Sequence, residues 1–118
     1  MLKERILQLY GNGDNCAQII LRAAAAEYGL QLSEEVYLAC SGIQGGFGVQ
    51  GMCSALVGAV MVLGLLCEEE VSQKRIIFLL KAQERFSGLD CGCLSAREAD
   101  CRNLLGEIGS LLQETLEE

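Results

Sequence analysis

The chain has 118 residues, half of them apolar, with no Pro, Trp or His and a formal net charge of −7. That length suits one domain around one hydrophobic core, and the excess of acid over base excludes a nucleic-acid surface and docking on anionic lipid. Without His there is no Ser-His-Asp or Cys-His catalysis, no imidazole zinc site and no His-ligated haem, so any metal must rest on thiolates or carboxylates.

The pattern is helical almost throughout. Leu2, Ile6, Leu9 and Tyr10 share one face of a first helix over 2–10. Charges interrupt the apolar pattern of "MLKERILQLY", so it is no secretory signal, and a cytoplasmic location is expected. "GNGDN" reads as a turn. Asn15 then caps a second helix, "CAQIILRAAAAEY", with Gln18 completing a capping box and Gly29 as the stop. Ser33 caps a third helix that runs through "VYLAC" to Gly42, with Glu34 and Glu35 favourable in its first turn.

A glycine-rich loop follows, "GIQGGFGVQGMC", containing Gly46-x-Gly48-x-x-Gly51. That is the spacing of a dinucleotide-binding loop, which needs a strand before it and a parallel sheet around it. "EVYLAC" and "RIIFLL" are the only strand-like runs, and the second continues into helix-favouring "KAQERF". Nucleotide binding through Gly46–Gly51 is therefore the weaker reading. The glycines better serve tight turns and close packing, and they bring backbone N–H groups near Cys53.

From Met52 to Cys67 no residue is charged. A membrane span needs about 20 apolar residues and suitable flanks, so this shorter run, followed by an acidic triplet, reads as the buried central helix of a bundle. Ala55, Gly58, Ala59 and Gly64 would let its neighbours approach closely. A long amphipathic helix over about Glu69–Phe86 follows, with Ile76, Ile77, Leu79, Leu80 and Phe86 inward. "SGLDCGCL" is a break, and Ser95 with Glu98 forms a second capping box for the last helix. The expectation is one all-α domain over 1–118, a bundle of about five to six helices around that central helix.

Seven cysteines in a reducing cytosol point to metal binding or redox chemistry. Cys16 follows the Asn15 cap, Cys53 falls in the first turn of the central helix, and Cys91 and Cys93 precede the last helix. Helix N-termini favour negative charge, so thiols there are expected to ionise readily. Cys101 falls two turns into the last helix. Cys40 and Cys67, at the ends of apolar runs, read as buried structural thiols. Two thiols as close in sequence as those of "CGC" cannot form an unstrained disulfide, and the absence of C-x-x-C removes thioredoxin-type and zinc-ribbon signatures.

"NCAQ" at Asn15–Gln18, "CSALVGAVMVLGL" from Cys53 and two later cysteines resemble the C_GCAxxG_C_C family of redox-active proteins. The family's C-G-A-x-x-G appears as Cys53-Ser54-Ala55-Leu56-Val57-Gly58, with Ser54 in place of Gly. "FSGLDC" resembles the family's approach to its third cysteine and favours Cys91 over Cys93, and Cys101 stands as the fourth. Similar domains accompany haem in split-Soret-type cytochromes, where such cysteines hold an iron–sulfur cluster. This chain lacks His and C-x-x-C-H, so the resemblance extends to the thiol site alone.

The resemblance and the cysteine pattern together imply a redox site of Cys16, Cys53, Cys91 or Cys93, and Cys101. It would ligate an iron–sulfur cluster or zinc, or cycle between dithiol and disulfide with Cys16 and Cys53 as the active pair and no metal. It would exchange electrons with a redox partner, without nucleic acid or membrane insertion, and a homodimer is compatible with the pattern. The competing class is a non-enzymatic helical module with buried cysteines that binds a metal, or a partner through its acidic face.

Overall fold

The computed structural model describes residues 1–91, 94 and 101–118. Their regular elements are helices: α1 (Leu2–Leu9), α2 (Cys16–Tyr28), α3 (Glu34–Ala39), α4 (Ser54–Leu66), α5 (Val71–Phe86) and α6 (Arg102–Glu117), with a π-turn over Gly46–Gln50. One isolated antiparallel bridge joins Met52 to Asp90. Among the described residues no helix is long and apolar enough to cross a membrane.

The start of α2 follows the capping-box expectation. The Gln18 backbone N–H donates to Asn15 Oδ1 at 3.0 Å, and the Asn15 N–H donates to Gln18 Oε1 at 2.8 Å. Two orphan donors are thereby satisfied reciprocally. The same side chains clamp the next helix, because Asn15 Nδ2 donates to the Cys40 carbonyl and Gln18 Nε2 to the Tyr37 carbonyl. Gly29 ends α2 in the left-handed conformation. Helix α3 is shorter than expected, ending at Ala39 with Cys40 as its C-cap.

Two layers of close packing follow from small residues. Helix α4 packs chiefly on α2, and α1 on α6. A methyl group added at Gly58 would stand 3.0 Å from both Cα and the carbonyl oxygen of Ala17, so the α2 and α4 backbones touch there. Gly109 likewise gives Ile6 of α1 its place against α6. Ala55, Ala59, Val62 and Leu63 are buried, while Gly64 and Leu65 at the end of α4 are exposed. The uncharged helix is thus embedded on the α2 side and open at its C-terminal turn.

The inward face of α5 corrects the sequence reading. Phe78, Ala82 and Phe86 are buried, whereas Ile76, Ile77 and Leu80 are 54%, 42% and 64% exposed. The run "IIFLL" is apolar all round the helix, so periodicity could not select a face. The largest side chain takes the core, where full burial of a ring contributes ~1.5–3 kcal/mol. At the far end of the bundle, Lys74 Nζ of α5 donates to the carbonyls of Thr115 and Glu118, tying down the last turn of α6.

The last helix also starts later than expected. Cys101 is the N-cap of α6, not a residue two turns inside it. The buried stripe of Leu104, Leu105, Ile108, Leu111 and Leu112 begins only after it. Ser95, Glu98 and Cys93 lie outside the described residues.

Candidate functional site: a cavity lined by four cysteines

Three helices bring a cysteine to the same end of the bundle by the same device. Cys16 is the first residue of α2, Cys53 is the N-cap of α4 rather than a member of its first turn, and Cys101 is the N-cap of α6. The Gly58–Ala17 contact sets the starts of α2 and α4 side by side.

The fourth cysteine arrives by a different route. The Cys53 N–H donates to the Leu89 carbonyl at 2.8 Å, and the Cys91 N–H donates to the Gly51 carbonyl at 2.7 Å. These two bonds flank the Met52–Asp90 bridge. Because side chains alternate along extended backbone, Cys53 and Cys91 lie on the face opposite Met52 and Asp90. Gly51, opposite Cys91, has no side chain to crowd it.

Gly51 is itself held by the glycine loop. Its N–H donates to the Gly46 carbonyl at 2.8 Å. Gly46 has φ +62°, and a methyl group there would lie 2.5 Å from Gly51 N and O. Phe47 and Gln50 are also held at positive φ, a conformation costly for residues bearing a Cβ. The loop closes on itself and presents Gly51 to Cys91. The segment before it is helix α3, and the described residues form no strand, so the setting of a dinucleotide fingerprint is absent among them.

Cys16, Cys53, Cys91 and Cys101 together line one cavity of about 390 Å³. Asn15, Ser54 and Asp14 supply its polar wall, and Ile19, Leu94 and Leu104 its apolar wall. Cys53 is buried and the other three thiols are half-buried. Cys40 stands elsewhere, buried with its Sγ donating to the Val36 carbonyl at 3.4 Å, and Cys67 is the C-cap of α4.

Electrostatics run against the expectation of ready ionisation for Cys16 and Cys53. Burial, and then the sulfurs of Cys101 and Cys53, push Cys16 up to about 12, against a lowering hydrogen bond from Ser54. Burial also raises Cys53, outweighing the Leu56 and Ala55 N–H groups at the start of α4, with Cys91 and then Cys101 adding to the rise. The helix-start effect is present but desolvation wins.

Residues 14–115 match the family described as "Putative redox-active protein (C_GCAxxG_C_C)". The chain belongs to this family. No curated protein and no solved structure matches it. The C_GCAxxG_C_C signature acquires a physical meaning in this fold. Cys53 caps α4, Ala55 is buried, and Gly58 makes the backbone contact that places Cys53 beside Cys16.

The donors for a metal are all sulfur, a set suited to zinc or an iron–sulfur cluster. Among the described residues, however, no group of three or more cysteine or carboxylate side chains is gathered closely enough to hold a metal ion. Sequence reasoning missed the Met52–Asp90 bridge and the capping role of Cys101. Two short glycine-flanked stretches, "QGMCS" and "SGLDCG", were the signal for the bridge.

Proposed function

We propose that this C_GCAxxG_C_C protein is a thiol–disulfide reductant whose cavity holds two dithiol pairs, Cys53 with Cys91 and Cys16 with Cys101. The observation that carries this reading is the convergence of four cysteines from four separate segments on one cavity. The pairing follows the bridge between the Cys53 and Cys91 segments, which leaves Cys16 and Cys101 as the other two cavity thiols.

The half-buried Cys91 attacks one sulfur of a partner's disulfide as its thiolate. A mixed disulfide forms and one partner thiolate leaves. Cys53, diagonal to it across the bridge and on the same face, then attacks the Cys91 sulfur and releases the second partner thiol. The cavity is left with one disulfide, and two electrons and two protons have passed to the partner. Burial and mutual proximity of the sulfurs disfavour the thiolate form of Cys16 and Cys53. Neither thiol is held as a stabilised thiolate, so nothing in their ionisation holds the reduced pair back from forming a disulfide.

The test is an anaerobic purification with an absorption spectrum and metal analysis, followed by stoichiometric oxidation with a small disulfide. Loss of four thiols in two steps, with Cys40 and Cys67 retained, supports the reading. Stoichiometric zinc, or iron with sulfide and visible charge-transfer absorption, would instead support thiolate ligation. Thiols that react slowly and without pH dependence would return the protein to the class of helical binding modules.

A further inference from the structure

The glycine loop does more than present Gly51 to Cys91, and what it adds deepens the thiol–disulfide reading, on which this inference rests. Gly45, Gly46, Phe47 and Gly48 form an unbroken run with φ between +62° and +79°. Glycine adopts that region freely, whereas a residue with a Cβ is crowded by its own backbone there. Phe47 is therefore the one strained member of the run, at φ 64° and ψ 20°. Its ring is not sunk in the core in return, for Phe47 is 54% exposed and Val49, two residues on, is 79% exposed. An apolar pair is thus held in water by a backbone shape that the neighbouring glycines adopt without cost.

Both feet of this loop stand at the thiols. Gln44 and Gly45 line the cavity at one end. At the other, Gly51 accepts the Cys91 N–H at 2.7 Å. The Phe47 ring lies against that second foot, with Cδ2 3.7 Å from where a methyl group on Gly51 would stand. Yet neither Phe47 nor Val49 lines the cavity. A ligand that meets both the thiols and this pair must therefore extend over the rim, as a polypeptide does and a small disulfide does not. Exposed apolar patches mark contact surfaces, and strained backbone gathers at binding sites. We propose that Phe47 and Val49 form an apolar docking lip for a polypeptide substrate whose disulfide is flanked by apolar side chains. The flank covers the lip while the disulfide reaches Cys91. The exchange itself is unchanged: two cavity thiols become one disulfide, the substrate S–S bond breaks, and its two sulfurs leave as thiols carrying the two protons.

The experiment uses the reduced full-length protein and three disulfides. The first is the dimer of a short capped peptide whose cysteine lies between two leucines. The second is the same dimer with serines in place of the leucines, and the third is hydroxyethyl disulfide. Each rate is divided by the rate of the same disulfide with dithiothreitol, which removes intrinsic reactivity. The leucine peptide should outpace the serine peptide by ~10-fold or more, the effect of covering half a ring and an exposed valine. Phe47→Gly suits φ +64° and removes the ring, and Val49→Ser alters a side chain that stands largely in water. Each should lower the ratio by ~3-fold or more, with urea unfolding midpoints near that of the parent protein.

Sedimentation at the assay concentration distinguishes a second copy of the chain as the occupant. A monomer whose ratio falls in both variants supports the lip. A dimer that either substitution dissociates means that a second copy covers it, which overturns the inference. A ratio near one in the parent protein, or one that survives either substitution, also overturns it while leaving disulfide reduction intact. Failure of every disulfide to react, hydroxyethyl disulfide included, defeats disulfide reduction itself.

Discussion

Gly58 of α4 rests directly on the backbone of Ala17 in α2, where an added methyl group would lie 3.0 Å from both Cα and the carbonyl oxygen. Ala17 follows Cys16, and Gly58 lies little more than a turn beyond Cys53. This one contact fixes the spacing between two of the four cavity thiols.

Gly58→Ala should therefore destabilise the protein. Ala gains ~1 kcal/mol over Gly in helix propensity, but overpacking against rigid backbone costs ~1–3 kcal/mol. A net loss of about 1 kcal/mol is expected in urea unfolding, with altered reactivity of Cys16. An unchanged midpoint together with unchanged reactivity would show that the α2–α4 contact does not set the site.

Gly46→Ala should be more severe. The new methyl would collide with Gly51, and the residue would also have to remain at φ +62°. A loss of about 2 kcal/mol or more is expected. Cys91 should become more accessible to alkylation as its bond to the Gly51 carbonyl loosens. The measurement is a denaturation curve paired with mass-spectrometric labelling of Cys91.

The pH profile of Cys16 follows from its raised pKa, with the sign fixed by burial and neighbouring sulfurs that both oppose the thiolate. The reactive fraction should rise about tenfold per pH unit from 7 to 10 without a plateau. An uncharged alkylating reagent and site-resolved mass spectrometry measure it. A plateau below pH 9 would mean that the helix-start N–H groups dominate after all.

Cys40→Ala separates structural from cavity thiols. Its sulfur donates to the Val36 carbonyl, and Cys40 is not among the residues lining the cavity. Disulfide exchange should be unaffected and stability should fall by about 1 kcal/mol. Cys53→Ser should do the reverse, abolishing fast exchange while leaving the helical circular-dichroism signal nearly unchanged.

Much of this was legible in the chain because local signals agreed with the fold. Asn15 and Gln18 announced the start of α2, Gly29 its end, and the uncharged run beginning at Met52 the helix α4. The inward face of α5 was not legible, because "IIFLL" is apolar on every side and only the packing of Phe78 breaks the tie. The place of Cys53 and Cys91 on one face was hidden as well. It depends on two hydrogen bonds between segments more than 30 residues apart, joined by an isolated bridge too short to show a strand pattern. Helix-start geometry was read correctly for Cys16, but its consequence was reversed by burial, which a sequence does not display.

The pairing of the cavity thiols is tested most directly by mapping disulfides after limited oxidation of the anaerobically reduced protein. Proteolysis under acidic conditions and mass spectrometry should find Cys53 joined to Cys91 and Cys16 joined to Cys101, with Cys40, Cys67 and Cys93 unpaired. Disulfides that involve Cys40 or Cys67, or no intramolecular disulfide at all, would contradict a two-pair redox cavity.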